Sequence, residues 1–186
     1  MPYYFLLLGL FLVRKVADQV RSRRNARALA ERGAAPQRDV ALKLLWLTHL
    51  AFFVLVPLEL LLCKRRFIPA LGVPMLILFA LAFLLRWWST SLLAANWTSQ
   101  VAVPRDMQPV TRGPYRWIRH PNYLAMSIEL VALSLVYPAY LSAAVVALLS
   151  IAAVVVRIRR EEEALFQVPA YRAAMEHKAR LIPGIY

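Results

Sequence analysis

The chain has 186 residues, of which 61% are hydrophobic and 18% are charged, and its 23 Lys and Arg against 10 Asp and Glu give a formal net charge of +13. Soluble domains are typically about half apolar and about a quarter charged, so this composition excludes a disordered chain and disfavours a soluble globule. A basic excess is typical both of nucleic-acid-binding proteins and of the cytoplasmic loops of membrane proteins. The length suits one domain over residues 1–186.

The N-terminal segment predicts a first membrane span. An apolar run extends from Tyr3 to Val13, and it lacks the preceding basic residue and the following small-residue cleavage site of a secretory signal peptide. At about 1.5 Å per residue the run is short for a bilayer core about 30 Å thick. We therefore expect the helix to continue through Arg14 and Lys15, with their side chains snorkelling toward the interface.

A basic connector and two further spans follow. Residues 16–43 are charged and small, and we expect a helix in their first half and a break at residues 33–36. The segment 44–62 is almost wholly apolar and predicts a second span, kinked at Pro57. The segment 71–85 begins with Gly-Val-Pro and ends at Arg86-Trp87-Trp88, an interfacial anchor, which predicts a third span.

The C-terminal half begins with a long loop and ends with a polar tail. Residues 96–122 contain four prolines and little apolar sequence. The apolar stretch 123–156 would form a helix about 50 Å long, too long for one crossing. Because Tyr137-Pro138 interrupts it near the middle, we expect a tight hairpin of two spans. The predicted fold is therefore all-α and polytopic, with five transmembrane helices and a C-terminal helical hairpin.

The distribution of basic residues predicts the orientation in the membrane. Nineteen of the 23 Lys and Arg lie in segments 14–43, 105–119 and 157–180, and only three lie in residues 64–66. Cytoplasmic loops are enriched in Lys and Arg, so we expect a protein of the cytoplasmic (inner) membrane with its N-terminus outside and its C-terminus in the cytoplasm. The charge excess is then mostly topological, and no nucleic-acid partner is expected.

Two polar clusters converge on the predicted cytoplasmic side. Residues 112–123 precede the fourth span, residues 157–163 end the fifth, and a hairpin brings the two together. Arg157 and Glu161 are four residues apart and share one helix face. Such a site would suit a zwitterionic, partly aromatic ligand, although arginines reaching lipid phosphates and aromatics at the interface explain the pattern equally well. With Cys63 as its single cysteine, the chain has no cysteine ligand pattern for a metal.

The polar motifs resemble those of the integral-membrane isoprenylcysteine carboxyl methyltransferases. The resemblance covers roughly residues 75–186 and is specific as a set of motifs. These are Gly113-Pro114-Tyr115, Arg119-His120-Pro121-Asn122-Tyr123, Arg157 with Glu161-Glu162-Glu163, and Tyr171 with Leu181-Ile182-Pro183.

This resemblance implies S-adenosyl-L-methionine as cofactor, bound on the cytoplasmic side within residues 96–186. Arg157 would face the methyl acceptor. The implied cofactor contacts are Gln100, Met107, Gln108, Pro109, Val110, Tyr115, His120, Pro121, Asn122, Tyr123 and Glu161.

The short chain is similar to small bacterial members of the family that resemble O-methyltransferases of long-chain alkylpyrones and alkylresorcinols. Asn96-Trp97 and the Ile-Glu-Leu segment at residues 128–130 also favour that branch. The implied acceptor is a lipophilic hydroxyl, with a prenylcysteine carboxylate as the alternative. Membrane sterol reductases, which use NADPH, share an Arg-His-Pro-Asn-Tyr segment, and a non-catalytic lipid-binding or assembly protein is a third possibility.

Three ionisable residues lie inside the predicted spans: His49, Glu59 and Glu129. Burying such a group is costly, so each is a functional candidate. Glu59 is near the outer end and is expected to reach water. Glu129 or His49 would serve as the base that deprotonates a hydroxyl acceptor. The structural alternative is an ion pair of Glu129 with His49 or Arg86 that holds the bundle together.

Overall fold

A computed structural model describes residues 1–34, 40–104 and 107–184, and over these residues the protein is helical without a strand, as the sequence predicts. Short 3-10 turns at Ala94–Asn96 and Gly113–Arg116 lie in the long loop. The α-helices are α1 (Pro2–Glu31), α2 (Val40–Leu62), α3 (Pro69–Leu93), α4 (Pro121–Val136), α5 (Tyr140–Leu165) and α6 (Pro169–Met175).

The five long helices alternate in direction. Near one end the Tyr4 hydroxyl of α1 donates to the Leu133 carbonyl of α4 at 2.6 Å. Further along, Arg14 reaches Glu129, so α1 and α4 are antiparallel. Contacts of the same kind make α2 antiparallel to α5, with Glu59 beside Ser142 at one end and a shared cluster of Leu45 with Ile158 at the other.

Three of these helices are long and apolar enough to cross a membrane: α2, α3 and α5. Helix α4 is apolar but has only 16 residues. Helix α1 has 30 residues, and its second half is charged. Length and composition therefore identify a membrane protein with three candidate spans in the described part of the chain, fewer than the five predicted.

The hairpin break falls where the sequence predicts it. Helix α4 ends at Val136 and α5 begins at Tyr140, and a hydrogen bond of 2.9 Å between the Ser150 and Ser127 hydroxyls joins the two helices. One predicted boundary differs. Helix α3 begins at Pro69, because proline is well suited to a first helical turn, so Gly-Val-Pro lies inside the helix. Helix α1 ends at Glu31, and the turn at Arg32 and Gly33 falls at the start of the predicted break. Its residues Ala35 and Pro36 lie outside the described part.

The snorkelling predicted for Arg14 and Lys15 is wrong. Both side chains turn into the bundle, where Arg14 Nη1 lies 2.8 Å from Glu129 Oε1 and Lys15 Nζ lies 3.1 Å from Oε2. Arg86 of α3 lies 3.3 Å from the same carboxylate and 3.2 Å from Asp18. Glu129 is fully buried, and a buried carboxylate requires paired cations. This requirement outweighs the tendency of Arg14 and Lys15 to extend toward the interface.

Glu59 is also buried rather than reaching water. Its carboxylate accepts hydrogen bonds from the Ser142 amide and hydroxyl at 2.7 and 2.8 Å, and it pairs with Arg65 at 2.8 Å. Ser142 lies in the first turn of α5, whose free amides attract negative charge. Glu59 of α2 therefore caps the N-terminus of α5.

The loops sort into two groups at opposite ends of the bundle. The α2–α3 turn meets the α4–α5 turn through the rings of Phe67 and Tyr137, whose centroids lie 5.4 Å apart at a tilt of 50°. At the other end, the second half of α1 contacts residues 94–99, and the 112–120 loop contacts the tail. The Arg119 amide, for example, donates to the Ala179 carbonyl at 2.9 Å. The polar clusters thus share one end of the molecule.

Candidate functional site

A cleft opens at this end between the long loop, α4, the end of α5 and α6. Its space amounts to about 830 Å³, part of which is continuous with open solvent. Eight of the predicted cofactor contacts line it: Gln100, Met107, Val110, Tyr115, His120, Asn122, Tyr123 and Glu161.

Three predicted contacts are not among the lining residues: Gln108, Pro109 and Pro121. Pro121 instead occupies the first position of α4, where its missing N–H costs no hydrogen bond. It starts the helix directly after His120, and so it orients the neighbouring Asn122 and Tyr123 toward the cleft.

Other walls of the cleft were missed by the sequence analysis. Trp97 and Val101 come from the loop after α3, and Leu165, Tyr171 and Met175 come from the end of α5 and from α6. Tyr115, Leu165, Tyr171 and Met175 form one buried cluster. The spacing of these residues carries no periodic signal, because they come from irregular segments and a seven-residue helix.

The aromatic wall of the cleft, which Tyr115 and Tyr171 form, is uncharged. Burial, together with the negative charge of Glu161, raises the pKa of the Tyr115 and Tyr171 hydroxyls far above the ordinary value. Both phenols therefore remain neutral donors at physiological pH. They contribute aromatic surface but no charge to the cleft, and the Tyr115 hydroxyl donates to the Ser89 carbonyl at 3.4 Å.

Tyr123 joins the two charged residues of α5. Its hydroxyl accepts a hydrogen bond from Arg157 Nε at 2.8 Å and donates to Glu161 Oε2 at 2.5 Å. Arg157 is 1% exposed, whereas the side chain of Glu161 is 27% exposed and lines the cleft. The predicted pairing of Arg157 with Glu161 is present at 3.6 Å, with Tyr123 bridging it.

Glu162 has a different surrounding from Glu161. Its carboxylate is buried and contacts Arg119 at 3.2 Å, His120 at 3.1 Å and Arg180 at 2.9 Å. Arg119 and His120 come from the long loop, while Arg180 comes from the tail. Glu162 therefore fastens the tail to the loop behind the cleft. The neighbouring Glu161 instead lines the cleft, so adjacent carboxylates of the Glu-Glu-Glu run have different roles.

Asn122 carries an acceptor that the described residues leave without a hydrogen bond. Its Oδ1 atom is buried and unpaired, and the residue lines the cleft. Since buried polar atoms are nearly always hydrogen-bonded, this oxygen fits a ligand that brings an N–H or O–H donor.

The residues fit S-adenosyl-L-methionine chemically. Glu161 matches its ammonium group, the unpaired Asn122 oxygen matches an amino donor, and the aromatic wall of Tyr115 and Tyr171 matches an adenine ring. Within the described residues no group of three or more His, Cys, Asp or Glu is arranged to hold a metal ion.

Glu129 and His49, the candidate bases, do not line this cleft. Glu129 is held by Arg14, Lys15 and Arg86, so the Glu129–Arg86 ion pair of the structural alternative is present. His49 bonds through Nδ1 to the Leu45 carbonyl at 2.7 Å on its own helix. The catalytic role of either residue stays a prediction.

Fold and cleft together define a helical membrane protein with an open cleft lined by polar and aromatic residues at one end of its bundle. The sequence model of the isoprenylcysteine carboxyl methyltransferase (ICMT) family matches residues 75–167, which is half of the chain and includes α4, most of α3, and α5. The protein belongs to this family, as its motifs indicate, and membership makes it a membrane methyltransferase.

A relative in Bacillus subtilis (strain 168) extends the similarity beyond the matched region. The chain is 28% identical over 165 residues to the uncharacterized protein YpbQ, across 87% of this chain and 96% of that protein. The similarity therefore includes most of the N-terminal helices as well.

Proposed function

We propose that the protein transfers a methyl group from S-adenosyl-L-methionine to the hydroxyl of a lipophilic acceptor such as a long-chain alkylpyrone or alkylresorcinol. The observation that carries this proposal is the Arg157–Tyr123–Glu161 chain. It links a carboxylate in the cleft to a guanidinium buried inside the bundle, and so it connects a cofactor position to an acceptor position.

On the cofactor side, residues of the cleft bind and orient S-adenosyl-L-methionine. Glu161 takes the ammonium group, His120 lies beside it at the start of α4, and Tyr115 and Tyr171 cover the aromatic part. The bound cofactor supplies an electrophilic methyl group on a sulfonium sulfur. The apolar walls of Trp97, Leu165 and Met175 keep water from that methyl group.

On the acceptor side Arg157 is the candidate contact. Methyl transfer from a sulfonium needs an aligned, deprotonated oxygen more than covalent assistance. In the proposed reaction the enol or phenol would release its hydroxyl proton to solvent water, and its oxyanion would form the new O–CH3 bond while the C–S bond breaks and leaves its electron pair on a neutral thioether. The Arg157 guanidinium stabilises the oxyanion, and an enol or phenol needs less help from a base than an ordinary alcohol does.

The proposed membrane arrangement has five crossings, with the cleft on the cytoplasmic side and the N-terminus outside. The alternation of the five long helices supports it, and so do the two groups of loops. Residues 64–66 lie at the end opposite the cleft, whereas the arginine-rich loops and tail lie at the cleft end. Cysteine substitutions at Lys64 and Arg112, each in a Cys63→Ser background that removes the exposed native thiol, test the orientation, because a membrane-impermeant thiol reagent should label only the first in intact cells.

The decisive experiment is calorimetric titration of detergent-purified protein with S-adenosylhomocysteine and, separately, with NADPH. We expect saturable binding of S-adenosylhomocysteine alone. Binding of NADPH alone would favour a reductase, and binding of neither would favour a non-catalytic lipid-binding protein.

Acceptor chemistry requires its own assay. Membranes containing the protein are incubated with tritiated-methyl cofactor and three acceptor classes: alkylpyrones, alkylresorcinols and prenylcysteines. We expect label in the first two. Transfer only to prenylcysteine would leave the cofactor assignment intact and replace the proposed acceptor with a carboxylate.

A further inference from the structure

Helix α1 has an exposed stripe that changes from valine to arginine along its length. Val13, Val16 and Val20 are 66%, 57% and 45% exposed, and Arg23, Arg24 and Arg27 are exposed beyond them. These spacings of three and four residues place all six side chains within an arc of about 100° on one helix face. The face is therefore continuous, and its chemistry switches between Val20 and Arg23.

The opposite face of α1 is fixed to the protein. Ser22, Ala26 and Leu29 are buried there, and the Ser22 hydroxyl bonds to Ser99 at 2.7 Å. Asn25 donates to the Trp97 carbonyl at 2.7 Å. Because this face holds the helix in place, the arginine stripe points away from the bundle in a defined direction.

The switch lies at the height expected for a membrane surface. In the proposed arrangement α1 is the first of five crossings, and from Pro2 to Val20 it rises about 27 Å, close to the roughly 30 Å of a bilayer's hydrocarbon core. The valines thus lie at the level of acyl chains, and the arginines lie at the level of lipid headgroups.

The arginines of the stripe differ from the other arginines at this end of the molecule in their ion-pair partners. Within the described part of the chain Arg23, Arg24 and Arg27 have no carboxylate partner, and Glu31, one turn beyond Arg27, forms no ion pair with it. Other arginines at this end are engaged: Arg21 bonds to the Thr90 carbonyl, and Arg180 pairs with Glu162.

We propose that this stripe is a binding site for an anionic phospholipid, with the headgroup on Arg23, Arg24 and Arg27 and an acyl chain along Val13, Val16 and Val20. Guanidinium groups hold phosphate through paired N–H donors. Basic residues beside a membrane-spanning segment favour anionic over zwitterionic lipid by roughly 1 kcal/mol each, or about fivefold.

The test uses the purified full-length protein in neutral detergent and a fluorescent phosphatidylglycerol, with the phosphatidylcholine analogue as the neutral probe. We expect tighter binding of phosphatidylglycerol. The double variant Arg23→Gln/Arg27→Gln should lose about 30-fold in that affinity, because two fivefold contributions are removed. Arg23→Lys/Arg27→Lys, which keeps the charges but lacks the paired N–H donors, should retain more of that affinity than the glutamine variant does.

A matched control removes two exposed cations from the opposite end, Lys64→Gln/Arg66→Gln. It should bind phosphatidylglycerol like the unaltered protein, and millimolar inorganic phosphate should not displace the lipid. Equal affinity for the two lipids, or equal loss in both glutamine variants, would overturn the proposal. Gel filtration and circular dichroism check that each variant is folded.

Discussion

Tyr123 and Arg157 lie on the two helices of the C-terminal hairpin and meet where the hairpin enters the cleft. The Tyr123 hydroxyl accepts from Arg157 Nε at 2.8 Å and is buried with it. A hydroxyl accepts and donates at once, so this residue orients both a cation and, through its proton, the Glu161 carboxylate. No other type of side chain of that length supplies both functions.

Replacing Tyr123 with Phe should weaken S-adenosylhomocysteine binding about tenfold, because a hydrogen bond to a charged group contributes about 1.5–3 kcal/mol. Glu161 would lose the bond that orients it, and Arg157 would lose a partner in a buried position. Titration calorimetry measures the effect. The control is Tyr140→Phe, an exposed tyrosine at the opposite end, and the prediction fails if both variants bind alike.

Replacing Glu161 with Gln should reduce S-adenosylhomocysteine affinity by about ten- to a hundredfold, through loss of a charge-assisted contact with the ammonium group. Glu163→Gln is the matched control, since its side chain is 65% exposed and pairs with the exposed Arg160. Equal affinities in the two variants would remove Glu161 from the site.

Replacing Glu129 with Gln separates its two possible roles. As the structural partner of three cations, its loss should destabilise the protein by about 3–5 kcal/mol, because buried charges are left unpaired. Thermal unfolding in detergent measures this against Glu176→Gln, an exposed carboxylate. A variant of normal stability that binds the cofactor but transfers no methyl group would instead support Glu129 as the base.

Replacing Arg180 with Gln should loosen the tail without unfolding the bundle. Its bond to Glu162 at 2.9 Å fastens the tail, while Arg119 and His120 hold that carboxylate from the loop. We expect faster amide exchange at Arg119 and His120, whose N–H groups donate to Ala179 and Arg180. Arg160→Gln serves as control, and unchanged exchange at both amides would contradict the prediction.

Alkaline pH should destabilise the protein through Tyr115 and Tyr171. Their pKa values are raised in the folded state by burial and by Glu161, so above about pH 10 the unfolded chain loses these protons while the folded protein keeps them. Stability is then complete below pH 10 and falls by about 1.4 kcal/mol per pH unit for each tyrosine. Tyr171→Phe should show a shallower decline in thermal midpoint above pH 10, and an unchanged slope would contradict this.

Hydropathy and proline positions predicted most of the helices, because apolar runs and helix breaks depend on local sequence. The break between α4 and α5 at residues 137–139 is one example. The burial of Arg14, Lys15 and Glu59 and the identity of their ion-pair partners could not be predicted in this way. Each of these side chains pairs with a residue more than 80 positions away in the sequence. Pairing between helices of a bundle produces no periodic pattern in the sequence from which it could be predicted.

Only part of the candidate site could likewise be predicted from the sequence. The motifs of residues 112–123 and 157–163 predicted the polar half of the cleft, since the hairpin forces them together. The wall from Trp97 and Val101 and the cover from Tyr171 and Met175 were not predicted as contacts. Their positions follow from how irregular segments fold back on the bundle, which depends on packing and not on spacing.

The cap that Glu59 places on α5 has a consequence at the far end of that helix. A rigid helix transmits its axial position along its whole length, and Glu161 lies about 29 Å from the capped Ser142 at 1.5 Å per residue. A slip of α5 by one residue at the cap would raise Arg157 by about 1.5 Å and turn it by about 100°, away from Tyr123. The height and rotation of Arg157 and Glu161 are thus set from the opposite end of the helix bundle.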